Sequence, residues 1–127
     1  MVDYDHIMKE DKKREQRIED EVIVDCYGPE EQALGWYYYL HDTIKYPFKA
    51  KCVQERPISP LRKGDVVEVT GMPKEEECER EMFATVKWEG RVLAVPFTQL
   101  EPMRGTDAKT KQAVADWHYW VGMGYEF

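Results

Sequence analysis

One short segment of the chain concentrates carboxylates, because residues 75–81 contain five glutamates in seven positions. Carboxylates this close repel one another unless a cation neutralises them, and Ca²⁺ takes roughly six to eight oxygen ligands from flexible side chains and carbonyls. The candidate ligands in this segment are Glu75, Glu76, Glu77 and Glu79. The alternative interpretation is a solvated, charged hairpin loop, and the residues alone leave both open.

Asp42 is a fifth candidate ligand, near the C-terminal end of a predicted helix and directly after His41. A carboxylate there is disfavoured by the helix dipole by ~0.3–1 kcal/mol. Such a placement favours a compensating cation, although Lys45 would serve as well. An ordinary exposed acid is the alternative. A further acidic cluster comprises Asp25, Glu30 and Glu31 around the Gly28-Pro29 break, and Glu30 and Glu31 are better explained as acids in the first turn of a helix.

Other catalytic and metal-binding patterns are missing from the sequence. There is no EF-hand loop, HExxH pair, P-loop or GxGxxG motif, and the three histidines are dispersed. No two of Cys26, Cys52 and Cys78 form a CxxC pair, which excludes a zinc ribbon or a thioredoxin-like motif. We therefore expect no enzyme activity and reduced thiols, with Cys26 and Cys52 buried in a cytoplasmic protein.

Composition narrows the class of partner. The 127 residues are enough for a single domain, and the net charge of −7 disfavours nucleic acid and anionic membranes. No stretch approaches the ~20 apolar residues of a membrane span. The charged N-terminus lacks the apolar core of a signal peptide. The simplest partner for the surplus acid is a cation.

In the first third of the chain, the pattern of polar and apolar residues predicts a flexible polar arm over residues 1–12 and a helical region over 13–45. Ile18 and Val22 lie one helical turn apart, although residues 21–25 also fit a strand. A second helix is predicted over 29–44, after Gly28 and with Pro29 at its first position. Its apolar stripe comprises Ala33, Trp36, Tyr37, Leu40 and Ile44. The aromatic run at 36–39 is a candidate stacking platform, but helical spacing favours a core role.

The rest of the chain predicts short strands and a final helix. Strands are expected at 48–53, 65–70, 82–88 and 91–95, with a short fifth within 97–103. Glu89-Gly90 has the composition of a two-residue hairpin turn. Residues 48–103 are therefore expected to form a small SH3-like antiparallel β-barrel, flanked by the N-terminal helices and a C-terminal helix over 106–122. The predicted fold class is α+β.

Several strings in the sequence resemble the CcbP-type small bacterial calcium-binding proteins. They are EQALGWYYYL at 31–40, PFKAKC at 47–52, SPL at 59–61, residues 69–72, and ADWHYW at 115–120. The likeness extends over roughly residues 15 to 127. The length and unusual composition of the first and last strings argue against chance agreement.

The resemblance implies a compact, acidic, cytoplasmic protein that binds Ca²⁺ at carboxylates, for buffering or signalling, with buffering favoured. It also implies that Asp42 matches the acid after the aromatic helix, and that the glutamate loop after Gly71-Met72 matches in character. Ca²⁺ is then the expected ligand, and no nucleic acid or membrane partner is expected. The alternative is an SH3-like protein-interaction module without an obligatory ion, its groove lined by exposed members of Tyr37–Tyr39 and Trp117–Trp120.

Overall fold

The N-terminal part of the chain is helical in the computed structural model, which describes residues 10–127. Helix α1 spans Lys12–Arg17 and continues into a π-helical turn, Ile18–Val22. Asp11 begins α1, since its side chain accepts a hydrogen bond from the backbone N–H of Arg14 at 3.0 Å. The predicted stripe is buried and the alternative strand at 21–25 is wrong. Most of the arm expected over 1–12 lies outside the described residues.

Helix α2 spans Pro29–Thr43 and ends one residue before the prediction, because Ile44 has an extended backbone. All five residues of its predicted apolar stripe are buried. Gly35 faces the π-helical turn so closely that a Cβ atom there would lie 2.4 Å from the carbonyl oxygen of Val22. The close approach of these two segments therefore requires glycine at position 35.

Five antiparallel strands follow α2 in the chain. They are β1 (Phe48–Cys52), β2 (Val66–Gly71), β3 (Phe83–Trp88), β4 (Arg91–Pro96) and β5 (Leu100–Pro102). Their order in the sheet is β4-β3-β2-β1-β5. In the described part of the chain β4 and β5 do not pair, so the sheet is open. The mixed helix and strand prediction is confirmed, but the SH3-like barrel is not.

The β3–β4 hairpin forms where the sequence predicts it. Glu89 and Gly90 have φ angles of 47° and 79°, as a tight turn between twisted strands requires. The short fifth strand also forms, but a 3₁₀ turn, Phe97–Gln99, precedes it. The predicted strand at 97–103 is thereby reduced to three residues.

Helix α3 spans Ala108–Gly122 and packs against α2 through tryptophans. Asp107 begins the helix by accepting a hydrogen bond from the backbone N–H of Thr110 at 3.0 Å. The ring centroid of Trp36 on α2 lies 5.1 Å from that of Trp117 and 5.6 Å from that of Trp120. Aromatic packing of this kind fixes the two helices relative to each other.

A buried carboxylate joins all three helices. Asp116 on α3 is 0% exposed, and it accepts hydrogen bonds from Arg14 at 2.6 Å and from Arg17 at 2.7 and 3.0 Å. Tyr39 on α2 is the third partner, and its hydroxyl group donates a hydrogen bond of 2.7 Å to the same carboxylate. Burial and then the bond to Asp116 raise the pKa of Tyr39. The carboxylate is thereby paired with two guanidinium groups, as a buried charge requires.

The three cysteines are free thiols, and burial was predicted for two of them, Cys26 and Cys52. Cys52 is buried as predicted, whereas Cys26 is only partly buried because it lies in the loop after the π-helical turn. Cys78, for which burial was not predicted, is buried. Within residues 10–127, no helix has the length and apolar character that crossing a membrane requires.

Candidate metal site

The glutamate-rich segment folds into a 3₁₀ turn over Glu75–Cys78 that is anchored to α2. Cys78 is 1% exposed and fills a position in the core. The hydroxyl group of Tyr37 donates a hydrogen bond of 2.6 Å to the carbonyl oxygen of Pro73, just before the turn. These contacts hold the turn against the helix, while its glutamate side chains point away from the core.

Tyr38, next along α2, connects the exposed side of the helix with the same turn. Its hydroxyl group donates a hydrogen bond to a carboxylate oxygen of Glu75. This bond raises the pKa of Tyr38, and the charges of Glu75 and Asp42 raise it further. The pKa of Tyr37 is raised first by burial and then by charges that include Glu75 and Glu76. Both tyrosines therefore lie in a negative field.

The turn and α2 enclose a groove of about 800 Å³ that we call the acidic groove. Five glutamates line it: Glu30, Glu75, Glu76, Glu79 and Glu126. They come from the start of α2, from the 3₁₀ turn and its next residue, and from the C-terminal segment. Arg80 is the cation among the lining residues, so carboxylates outnumber it five to one. Such a concentration of one charge attracts cations.

Three of the five predicted ligands meet in this groove. They are Glu75, Glu76 and Glu79. Glu77 is exposed and does not line the groove. Asp42 lies in a neighbouring depression with Glu21, which Tyr38 also lines. The side chain of Asp42 is 70% exposed, and its Oδ1 atom lies 2.9 Å from Nδ1 of His41.

Glu81, the last glutamate of the segment, is already paired. Arg56 donates two hydrogen bonds to its carboxylate, at 2.9 and 3.1 Å. This bidentate pair links the loop after β1 to the segment just before β3. Glu81 is therefore a structural residue rather than a candidate ligand.

The carboxylates of the acidic groove are near one another without forming a finished coordination shell. Across residues 10–127, no three side chains of His, Cys, Asp or Glu are placed to hold a metal ion. Calcium tolerates flexible ligands and irregular geometry, so glutamates on an exposed turn suit it better than they suit Mg²⁺. The arrangement concentrates a cation first and requires side-chain rotation to coordinate it.

Two residues that line the groove were not among the predicted ligands. Glu30 lies in the first turn of α2 together with Glu31, as predicted, and it also lines the groove. Glu31 accepts a hydrogen bond from the backbone N–H of Tyr27 at 3.1 Å. No local pattern marks Glu126, which lines the groove beside Phe127, whose ring packs on Trp117 and Trp120 of α3.

The aromatic groove of the alternative interaction module is not favoured by the fold. Tyr37, Trp117 and Trp120 are 8%, 1% and 5% exposed. Tyr38 is the exposed aromatic residue of the predicted set, at 47%. The aromatic run of α2 is mostly core, as helical spacing indicates.

Comparisons with known proteins point to one family. A family model for CcbP, described as calcium binding, matches residues 16–121. The crystal structure of Anabaena CcbP is similar, with 39% identity and a TM-score of 0.83, covering 94% of this chain and 98% of that one. A calcium-binding protein in its calcium-binding form also has 39% identity, with a TM-score of 0.81 and coverages of 92% and 95%. No curated protein matches significantly.

Proposed function

Because this chain belongs to the CcbP family of calcium-binding proteins, we propose that it captures Ca²⁺ at the acidic groove and buffers the ion in the cytoplasm. Calcium binding itself is the property that the family and the similar structure in its calcium-binding form have in common. The family is a calcium-binding family and not an enzyme family. The location of the ion and the buffering role are our proposals.

The observation that carries the site is the convergence of five glutamates from three parts of the chain around one concavity. We propose Glu75, Glu76 and Glu79 as the ligands within it. Asp42 and Glu77 do not line the groove, and together with these three residues they complete the proposed set of five carboxylates. Their charge attracts the ion and, after side-chain rotation, they supply oxygens to it or to a second ion.

Capture relieves electrostatic repulsion that the calcium-free protein carries. The rigid part of the site is the backbone of the turn, held by Cys78 and by the hydrogen bond from Tyr37 to Pro73. The mobile part is the glutamate side chains. An ion that binds only the folded state, at one hundred times its dissociation constant, adds ~2.7 kcal/mol to the free energy of unfolding.

Buffering is favoured over sensing because α2 already has its apolar face buried. A sensor that opens on binding exposes a hydrophobic groove to its target. Here the stripe of α2 shares a single hydrophobic cluster with the sheet and α3, so opening would disrupt the core. The same shared cluster, which lies within the described residues 10–127, supports our proposal of a single domain.

Isothermal titration of chelator-stripped protein with Ca²⁺ tests the site. Replacing Glu75, Glu76 and Glu79 together by Gln should weaken binding at least tenfold, and should raise the melting temperature of the calcium-free protein slightly. The matched control replaces Glu19, Glu55 and Glu89 by Gln, which removes the same charge outside the groove. Equal weakening in both triple variants would show that only net charge matters and would refute the site.

Asp42 and Glu77, the two proposed ligands that do not line the groove, are tested separately. Asp42→Asn and Glu77→Gln each remove one charge and keep the side-chain shape. If both are ligands, each should weaken Ca²⁺ binding more than Glu19→Gln does. Wild-type affinity in one of them would remove that residue from the set while leaving the groove intact.

A further inference from the structure

A second concavity differs from the acidic groove because most of the charged side chains that line it are positive. It lies between α1, α3 and β5 and has a volume of about 700 Å³. Arg14, Arg104 and Lys111 line it, and Glu101 is the acid among its lining residues. We call it the basic cleft. Three cations from three segments converge here although the protein as a whole carries a net charge of −7.

Apolar residues line the basic cleft between these charges. Pro102 and Ala115 are partly exposed and supply its apolar surface, whereas Leu100 of β5 and Val114 of α3 are buried in the core at 0% and 1% exposure. The combination of apolar surface with a few convergent polar groups is typical of small-molecule sites, whose volumes are roughly 300–1,000 Å³. The cleft therefore offers both a contact surface and charged hydrogen-bond donors.

The cationic side chains of the cleft have N–H donors that could bind an anion. Arg14 is held in place by Asp116, to which its terminal nitrogen donates at 2.6 Å, and its Nε atom lies 3.5 Å from Asp11. Among the described residues, neither Arg104 nor Lys111 forms an ion pair. A guanidinium group matches the paired oxygens of a carboxylate or phosphate. An anion would thus meet one fixed cation and two adaptable ones.

The wall formed by β5 argues against an added peptide strand as the occupant. On either side of β5, the carbonyl of Gln99 accepts a hydrogen bond from Val53 and the N–H of Met103 donates one to Lys49. Because bonding groups alternate along an antiparallel ladder, the groups of Leu100 and Pro102 face outward. The N–H of Leu100 is bonded to Phe97, and its carbonyl accepts from Nε2 of His118 at 2.8 Å. Pro102 has no N–H. Three of the four outward groups are therefore closed to strand addition.

From this arrangement we propose that the basic cleft binds a small organic anion, in which a carboxylate or phosphate group is carried on an apolar or aromatic body. The anionic oxygens pair with Arg104 and Lys111, and Arg14 supplies a third donor. The apolar body lies against Pro102 and Ala115, the partly exposed apolar residues of the cleft. The site is independent of the calcium ligands, because it shares no lining residue with the acidic groove.

Amide NMR titration of the full, calcium-stripped chain tests the proposal, with phenyl phosphate as the probe and inorganic phosphate and phenol as its two halves. Phenyl phosphate should shift the resonances of Leu100, Ala115 and His118, and each half should bind at least tenfold more weakly. Replacing Arg104 and Lys111 together by Gln should weaken phenyl phosphate at least tenfold. The control replaces Lys63 and Arg91 by Gln, removing equal charge outside the cleft, and should bind like the wild type.

Several results would overturn the proposal. One is the absence of shifts at a probe concentration of about 10 mM, far above the dissociation constant of a built site. Another is equal binding by phenyl phosphate and inorganic phosphate, which would reduce the cleft to a non-specific cation patch. A third is equal weakening in both double variants. Stronger shifts from hexaglutamate than from phenyl phosphate would assign the cleft to an acidic protein partner instead.

Discussion

Tyr38 donates a hydrogen bond from its hydroxyl group to the carboxylate of Glu75, so a side chain of α2 occupies an oxygen that Ca²⁺ would need. Tyr38→Phe keeps the ring and removes this competitor. We expect Ca²⁺ to bind more tightly by about two- to tenfold, since a hydrogen bond contributes ~0.5–1.5 kcal/mol net. Calcium titration of the variant measures the change. Tyr27→Phe, at a tyrosine outside the groove, is the control, and weaker binding by Tyr38→Phe would indicate that the hydroxyl group helps to hold the ion.

Asp116→Asn should be the most destabilising conservative change in the helical layer. It removes the charge from a carboxylate that is 0% exposed, which leaves Arg17 without its counter-ion and Arg14 with Asp11 alone, at 3.5 Å. Breaking a buried pair in this way costs about 3–5 kcal/mol in the free energy of unfolding. Urea denaturation measures it. Glu68→Gln, in the surface pair with Lys87, should cost less than about 1 kcal/mol, and equal costs would show that burial of Asp116 contributes nothing.

The stability of the fold should fall on mild acidification because of His118. Burial lowers the pKa of His118, although its bonds to the carbonyls of Leu100 and Phe97 and the charge of Glu101 oppose this. Below the unfolded pKa of about 6.5, the unfolded chain therefore binds more protons than the folded one. Stability is fully present above that pH and is lost as the pH falls towards the folded pKa.

His118→Gln retains a donor for the Leu100 carbonyl and removes the titration. Its free energy of unfolding should change less between pH 7.5 and 5.5 than that of the wild type, whose slope from this group is at most ~1.4 kcal/mol per pH unit. Denaturant melts at several pH values measure both slopes. An unchanged slope in His118→Gln would assign the effect to another group.

Gly35→Ala should destabilise the protein even though alanine favours helices by about 1 kcal/mol. The added Cβ atom would lie 2.4 Å from the carbonyl oxygen of Val22, a backbone atom that cannot move aside alone. The expected cost is about 1–3 kcal/mol in the free energy of unfolding. Thermal melts compare it with Leu34→Ala, at the preceding exposed position, and a stabilised Gly35→Ala would show that the π-helical turn adapts.

Local patterns predicted the elements whose residues interact within one turn or one hairpin. The stripe of α2 from Ala33 to Ile44, the Glu89-Gly90 turn and the helix after Asp107 depend on neighbours in sequence, and all are present. The shortening of the fifth strand and the open sheet depend on how Phe97–Gln99 packs under α3. That information lies in contacts between distant segments, so periodicity does not carry it.

For the candidate sites too, only features that are local in the sequence could be predicted. The glutamates at 75–79 were chosen as candidate ligands because they are close together in the sequence, whereas Glu126, which lines the same groove, belongs to the C-terminal segment. The pairing of Arg17 with Asp116 spans 99 residues, and in the sequence these residues are ordinary charges on two helices. The basic cleft was not predicted either, since Arg14, Arg104 and Lys111 form no pattern until the fold brings them together.

The open sheet has a consequence for behaviour at high concentration. With the outer edge of β5 closed by His118 and Pro102, β4 is the edge on which a second molecule could template growth in the described part of the chain. Val92 on that strand is 61% exposed. Mutual repulsion between molecules of net charge −7 keeps this edge apart from its copies. Each bound Ca²⁺ adds two positive charges, so one ion changes the net charge of the protein from −7 to −5. Repulsion between molecules therefore falls as they bind Ca²⁺. Molecules with the most bound Ca²⁺ are the ones most prone to self-association.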